Sequence, residues 1–124
     1  MNIFECINKN DISALKEIIE AGVDVNVQNK YGNTPLHWTS HYRDYRAIKL
    51  LIAAGADVNV QNDKGNTALV LACIADNTEA IKLLIAAGAD VNIQNENNHT
   101  ALYWACYDDN YEAIRLLVDA GAYR

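Results

Sequence analysis

Long apolar runs are missing from this sequence, which has 124 residues. No run approaches the roughly 18 residues that a membrane-spanning helix needs, so we expect no membrane partner. The first residues, MNIFECINKND, contain acidic Glu5 where a signal peptide has a basic region followed by an apolar one. The sequence therefore predicts a cytoplasmic protein without a targeting segment.

Basic residues are also scarce, because 10 lysines and arginines stand against 16 aspartates and glutamates. The resulting net charge of −6 argues against a nucleic-acid partner, since phosphate binding requires a basic surface. Apolar residues make up 51% and charged residues 21%, which is typical of a folded rather than a disordered protein. The length is that of a single domain with a core of its own.

What the sequence has in abundance is internal repetition. Residues 24–56, 57–89 and 90–122 align without a gap, and most positions are identical between neighbouring copies. A fixed period of this length indicates stacked supersecondary units, none of which can bury its apolar face alone. Residues 1–23 align with the second part of the same unit and are more polar, so we predict an N-terminal capping half-repeat. Residues 123–124 would then form a short tail.

Each copy contains signals for two short helices. Thr34 suits an N-cap and Pro35 the first helical position, which predicts a helix as far as about Tyr42. A second helix is expected after Asp44, with equivalent N-cap residues Asn77 and Asn110 in the other copies. Glycines follow at the positions of left-handed C-caps, and the segment DVNVQN predicts a projecting, β-hairpin-like loop.

The TPLH motif at 34–37, the pattern AIKLLIAAGA and the loop DVN–QN–G–T resemble the ankyrin repeat family. The resemblance recurs three times in register and implies an all-α solenoid of helix–turn–helix units that binds other proteins. Where the family usually has a glycine after the first helix, this chain has Arg43, Asp76 and Asp109. Asn98 replaces the loop glycine of the third repeat, and asparagine tolerates positive φ.

No residue pattern in the sequence indicates catalysis, a cofactor or a metal site. Cys6, Cys73 and Cys106 form no CxxC pair. Cys73 and Cys106 lie at equivalent positions of adjacent repeats, and helices stacked about 8–10 Å apart exceed the roughly 7 Å Cα limit of a disulfide. We therefore expect buried, reduced thiols. Asn59 and Asn92 resemble asparagines that are hydroxylated in ankyrin repeat proteins, although a role in satisfying backbone groups of the loop is the favoured explanation.

The copies differ mainly at the loop tips and at the end of the first helix. In the resembled family these positions line one concave face where partners bind, so the divergence predicts a shared scaffold with an individual binding surface. Drift of exposed positions would look similar. The predicted contact residues are Lys30, Tyr31, Asn33, His41, Tyr42, Asp63, Lys64, Asn66, Ile74, Glu96, Asn97, His99, Tyr107 and Asp108.

Other aromatic residues are expected to serve packing. Trp38 and Trp104 occupy a position predicted to lie in the core, and Tyr45 and Tyr111 are expected to fill gaps between repeats. The favoured function is therefore non-catalytic binding of a partner protein. Two alternatives remain at this point: a structural or self-assembling scaffold, which could associate through the third repeat, and a targeting fragment of a larger protein.

Overall fold

The computed structural model describes residues 2–123, a part of the chain that contains eight α-helices and no strand. The helices are α1 (Ile3–Asn8), α2 (Ile12–Glu20), α3 (Pro35–Tyr42), α4 (Tyr45–Ala53), α5 (Ala68–Ile74), α6 (Thr78–Ala86), α7 (Ala101–Tyr107) and α8 (Tyr111–Asp119). The predicted all-α solenoid is confirmed. Arg124, in the predicted tail, lies outside the described residues.

The helices pack as two rows. Within each unit the first helix packs on the second, and between units α1, α3, α5 and α7 form one row while α2, α4, α6 and α8 form the other. Residues 2–23 already contain both helices of a unit, so the segment predicted as a half-repeat lacks only the preceding loop. The predicted hairpin-like loops are turns without a strand, and both backbone and side-chain hydrogen bonds close them, as where the N–H of Asn29 donates to the carbonyl of Asn33 at 2.9 Å.

Polar N-caps begin the helices where the sequence predicts them. The Thr34 hydroxyl accepts the backbone N–H of His37, and the Thr67 hydroxyl accepts that of Val70. Each second helix begins at a carboxylate or amide, as when Asp44 accepts the N–H of Ala47. These caps satisfy amide groups at the helix start that have no partner inside the helix. The predicted starts of α3 and α4 are therefore confirmed.

The core runs along the interface between the two rows. Ala47, Ile48 and Leu51 of α4 are fully buried, and the equivalent residues of α6, including Ala80 and Ile81, are buried in the same way. Small alanines next to large aliphatic residues allow consecutive helices to pack closely. Repetition of this pattern makes one continuous core rather than a separate core for each unit.

Arg43, Asp76 and Asp109 adopt positive φ where the family usually has glycine after the first helix. Arg43 is stabilised in this position because its guanidinium donates to the carbonyls of Ala75 and Asp76 at 2.8 and 3.4 Å. The bond reaches from the first full repeat to the end of α5. The side chain therefore links two repeats instead of being free in solvent, which the sequence does not predict.

Three expectations about packing need correction. Cys6 and Cys73 are buried as expected, but Cys106 is exposed. The third repeat covers Cys73, whereas no described residue covers the same side of α7. Tyr111 is 75% exposed and fills no gap. Trp38 and Trp104 are only half-buried at the edge of the core.

Within residues 2–123, no helix is long and apolar enough to cross a membrane.

Candidate functional site: two grooves beside the loops

The loops are held in shape by one asparagine in each repeat. The Asn29 side-chain oxygen accepts the backbone N–H groups of Tyr31 and Asn33 at 2.9 and 3.0 Å. Asn62 and Asn95 make the equivalent pairs of bonds in the next two loops. A side chain that accepts two N–H groups of a turn restricts the turn to one conformation. The loop tips therefore present their other side chains in fixed positions.

Neighbouring loops are joined by a ladder of hydrogen bonds. The backbone N–H of Asp63 donates to the carbonyl of Tyr31 at 3.1 Å, and that of Glu96 donates to the carbonyl of Lys64 at 3.0 Å. The Asn62 amide also donates to the Asn33 oxygen at 2.8 Å. These bonds connect loops that are one repeat apart in sequence. The row of loops is therefore a continuous, ordered border of the molecule.

His37 connects the first helix row to this ladder. Its Nδ1 accepts the backbone N–H of Thr34 at 3.0 Å, so the ring proton lies on Nε2, which donates to the carbonyl of Asn66 at 2.8 Å. Burial lowers the pKa of His37, and the bond to Asn66 opposes that effect in part. His37 is therefore a neutral structural residue, and both of its ring nitrogens are used internally.

A groove of about 460 Å³ lies where the first two loops meet α3 and α5, and we call it the central groove. Its lining residues are Tyr31, Asn33, His37, Trp38, His41, Tyr42, Asn62, Asp63, Lys64, Asn66, Leu71 and Ile74. The structure thus brings together eight of the predicted contact residues from two repeats. Tyr42 lies at the edge of the central groove and is 62% exposed, and its ring meets the Trp38 ring edge to face.

Asn66 and Lys30 differ from the other predicted contact residues of the first two repeats in where their side chains lie. Asn66 lines the central groove but is only 8% exposed, and its side-chain oxygen accepts the Asn95 amide at 3.0 Å. The structure gives this side chain an internal role in the loop ladder instead of the predicted contact role. Lys30 lies outside the central groove, with its ammonium 5.1 Å from the centre of the Tyr31 ring. That distance is within the range of a cation–π contact.

A second groove, of about 700 Å³, lies on the third repeat between its loop and α7, and we call it the end groove. It is lined by Asn92, Gln94, Asn98, Thr100, Leu102, Tyr103, Cys106, Tyr107 and Tyr123. Tyr107 is therefore the predicted contact residue that lies in this groove. Glu96, Asn97 and Asp108 are exposed outside both grooves, and His99 is half-buried.

His99 belongs to an aromatic cluster that the sequence does not predict. Its ring stacks on Tyr103 with centroids 3.7 Å apart and planes 5° apart, and Tyr103 in turn stacks on Tyr107 at 6.4 Å. Trp104 meets the same rings edge to face. Tyr103 stands at the position of His37, and this replacement in the TPLH motif is the signal that could have identified it.

Asn59 and Asn92 both support the loop backbone. The Asn59 oxygen accepts the N–H of Asp90 at 2.8 Å, and the Asn92 oxygen accepts the N–H of Tyr123 at 3.2 Å. Asn92 also donates to the carbonyl of Gly121. These bonds fulfil the loop-supporting role that is the alternative to hydroxylation. Hydroxylation itself stays a prediction.

Among residues 2–123, no group of three histidine, cysteine or acidic side chains is placed to hold a metal ion. Burial raises the pKa of the Cys73 thiol to about 12, so this thiol is protonated at neutral pH. Both grooves present aromatic rings beside side chains that can form hydrogen bonds.

A family model describing ankyrin repeats in three copies matches residues 3–95 and again residues 40–123. The two matches together extend over nearly the whole chain and over all eight helices described above. A search of curated proteins finds no match. Because these matches cover far more than half of the chain, the chain belongs to the ankyrin repeat family.

Proposed function

We propose that this protein is a non-catalytic binding module that holds a partner protein in the central groove and along the adjoining loop tips. Ankyrin repeats are generally protein–protein interaction modules and are typically non-catalytic. The observation that carries the proposal is the convergence of Tyr31, His41, Tyr42 and Ile74 from two repeats on one groove. A cytoplasmic location is part of the same proposal.

The composition of the central groove supports this function. Tyr31 and Tyr42 are large, stiff side chains that are exposed although they lie beside buried structure. Tyrosines of this kind carry much of the binding energy at protein interfaces. Asp63 and Lys64 at the second loop tip supply both signs of charge at the border of the groove. An apolar centre with a polar border is the usual composition of a protein–protein interface.

The order of the loops supports it as well. Because the loop tips are fixed by Asn29 and Asn62 and joined by the backbone ladder, a partner would not need to order them on binding. Binding to a surface that is already ordered avoids part of the entropic cost of association. The groove is therefore suited to a partner that recognises one fixed shape.

Comparative affinity capture tests the proposal. The wild-type protein and the variants Tyr42→Ala and Tyr111→Ala would be immobilised separately, and captured proteins would be quantified by mass spectrometry. Tyr111 is a matched control because it is an exposed tyrosine outside both grooves. We expect at least one protein to be retained by wild type and Tyr111→Ala and lost with Tyr42→Ala. Equal capture by all three forms would contradict the central groove as the site.

A further inference from the structure

The end groove differs from the surfaces between repeats because the third loop is built differently from the first two. A Cβ atom on Gly32 would lie 2.8 Å from the backbone nitrogen of Asp63, and one on Gly65 would lie 2.9 Å from that of Glu96. Both glycines therefore permit the next loop to approach. Asn98 stands at the equivalent position of the third loop and has a Cβ at φ +62°. A further loop could not approach it at the same distance.

The side-chain ladder also ends in the third loop. Asn33 and Asn66 each accept an amide N–H from the following loop, through Asn62 and Asn95. His99 stands at the third equivalent position, and its ring lies flat on Tyr103 instead. Asn98 and His99 are thus two separate departures that make the end groove unsuited to a repeat stacked in the same register. The surface is open for a ligand of another kind.

Aromatic rings form one wall of the end groove. Tyr103 and Tyr107 line it directly, and they continue the stack that begins at His99. Tyr107 is 71% exposed, so a face of its ring is accessible. The other lining residues include the uncharged polar side chains Asn92, Gln94 and Asn98. Tyrosine faces attract cations because the π system is electron-rich, and amide oxygens accept hydrogen bonds from them.

The repeat that forms the end groove is predominantly acidic. No lysine or arginine lines the groove. The third repeat, residues 90–122, contains the acidic residues Asp90, Glu96, Asp108, Asp109, Glu112 and Asp119 against the single basic residue Arg115, a net charge of −5. A field of this sign attracts cationic ligands and repels acidic ones. The volume of about 700 Å³ is within the range of ligand-binding clefts.

We propose that the end groove binds arginine or lysine side chains of a basic segment of the partner protein, with the exposed ring of Tyr107 stacking against the cationic groups. This inference rests on the proposed function and adds a second contact region to it. A second copy of this chain is a poorer occupant. Two third repeats would repel each other, because each has a net charge of −5.

The binding of short fluorescent peptides, measured by anisotropy, tests the inference. One peptide alternates arginine with serine, and its two controls carry citrulline or glutamate in place of arginine. Citrulline keeps the shape of arginine and lacks the charge. We expect the arginine peptide to bind, the other two to bind at least about tenfold more weakly, and Tyr107→Ala to weaken the arginine peptide about tenfold. Tyr111→Ala should leave the affinity within about twofold of wild type.

Several outcomes would overturn the inference. Equal binding of the citrulline peptide would show that charge is not recognised, and an unchanged affinity in Tyr107→Ala would show only diffuse attraction to the acidic surface. Dimerisation that blocks the groove, detected by light scattering, would assign it to a second copy. The proposed function would stand in each of these cases if capture of a partner still depended on Tyr42.

Discussion

His37 fixes the turn before α3 and links it to the next repeat. Its neutral ring accepts one N–H and donates to the Asn66 carbonyl of the next repeat, so protonation of Nδ1 would break the bond from Thr34. The pKa is lowered from 6.5 in the fold because the ring is buried. The unfolded chain therefore binds this proton more readily than the folded one, and acid favours unfolding.

The expected result is a specific pH dependence of stability. The contribution of His37 should be complete above the unfolded pKa of 6.5 and should be lost as the pH falls below it towards the folded pKa. One proton limits the slope to about 1.4 kcal/mol per pH unit. Urea unfolding at a series of pH values would measure it. The variant His37→Gln should flatten the profile above about pH 5, whereas His41→Gln, which alters an exposed histidine, should not. A profile of equal slope in His37→Gln would contradict this account.

Gly65 is a second residue whose replacement should change stability. Gly65 and Gly55 both have positive φ, but only at Gly65 would a Cβ meet the next loop, whereas nothing lies within 4 Å at Gly55. Alanine at Gly55 should cost about 1 kcal/mol through backbone strain alone, and alanine at Gly65 at least about 1 kcal/mol more. Chemical denaturation of both variants measures the difference. Equal losses would show that the loops yield without cost.

At the scale of the element, the helix starts were predictable and several exposures were not. Thr34, Asp44 and Asn77 act as caps on their own chain neighbours, so a local pattern is enough to identify them. The burial of Asn66 depends on a bond to Asn95 one repeat away, and the exposure of Cys106 depends on what covers α7. Both the burial of Asn66 and the exposure of Cys106 are set by contacts between repeats. A pattern within one repeat therefore cannot provide them.

Helix α8 should be the least protected of the second helices in the full repeats. Helices α4 and α6 each pack between two neighbours in their row, whereas α8 has α6 as its one neighbour in that row within the described part of the chain. Val118 of α8 is half-exposed as a result. Hydrogen exchange followed by mass spectrometry should show faster exchange in 111–119 than in 45–53. Equal protection in a protein that light scattering shows to be monomeric would be inconsistent with this expectation.

At the scale of the whole molecule, charge changes along the array. Residues 24–56 have a net charge of +2 and residues 90–122 one of −5, and stacking converts this order in sequence into an order in space. A partner with a basic segment would be steered towards the third repeat. Raising salt to about 0.5 M should slow association about tenfold and affect dissociation less. Stopped-flow measurements would show this, and Glu96→Lys with Asp108→Lys should remove most of the effect. An association rate that responds neither to salt nor to the charge reversal would contradict electrostatic steering. Solubility would then be the only role of these charges.

In the proposed function, partner binding depends on the tyrosines of the two grooves. The most direct measurement is the affinity of the captured partner for the double variant Tyr42→Ala Tyr107→Ala, determined by isothermal titration calorimetry beside wild type and Tyr111→Ala. Both replaced side chains are mostly exposed, so the thermal midpoint should change little. We expect the double variant to lose about 2 kcal/mol or more of binding free energy and Tyr111→Ala to lose almost none. An unchanged affinity in the folded double variant would contradict the account.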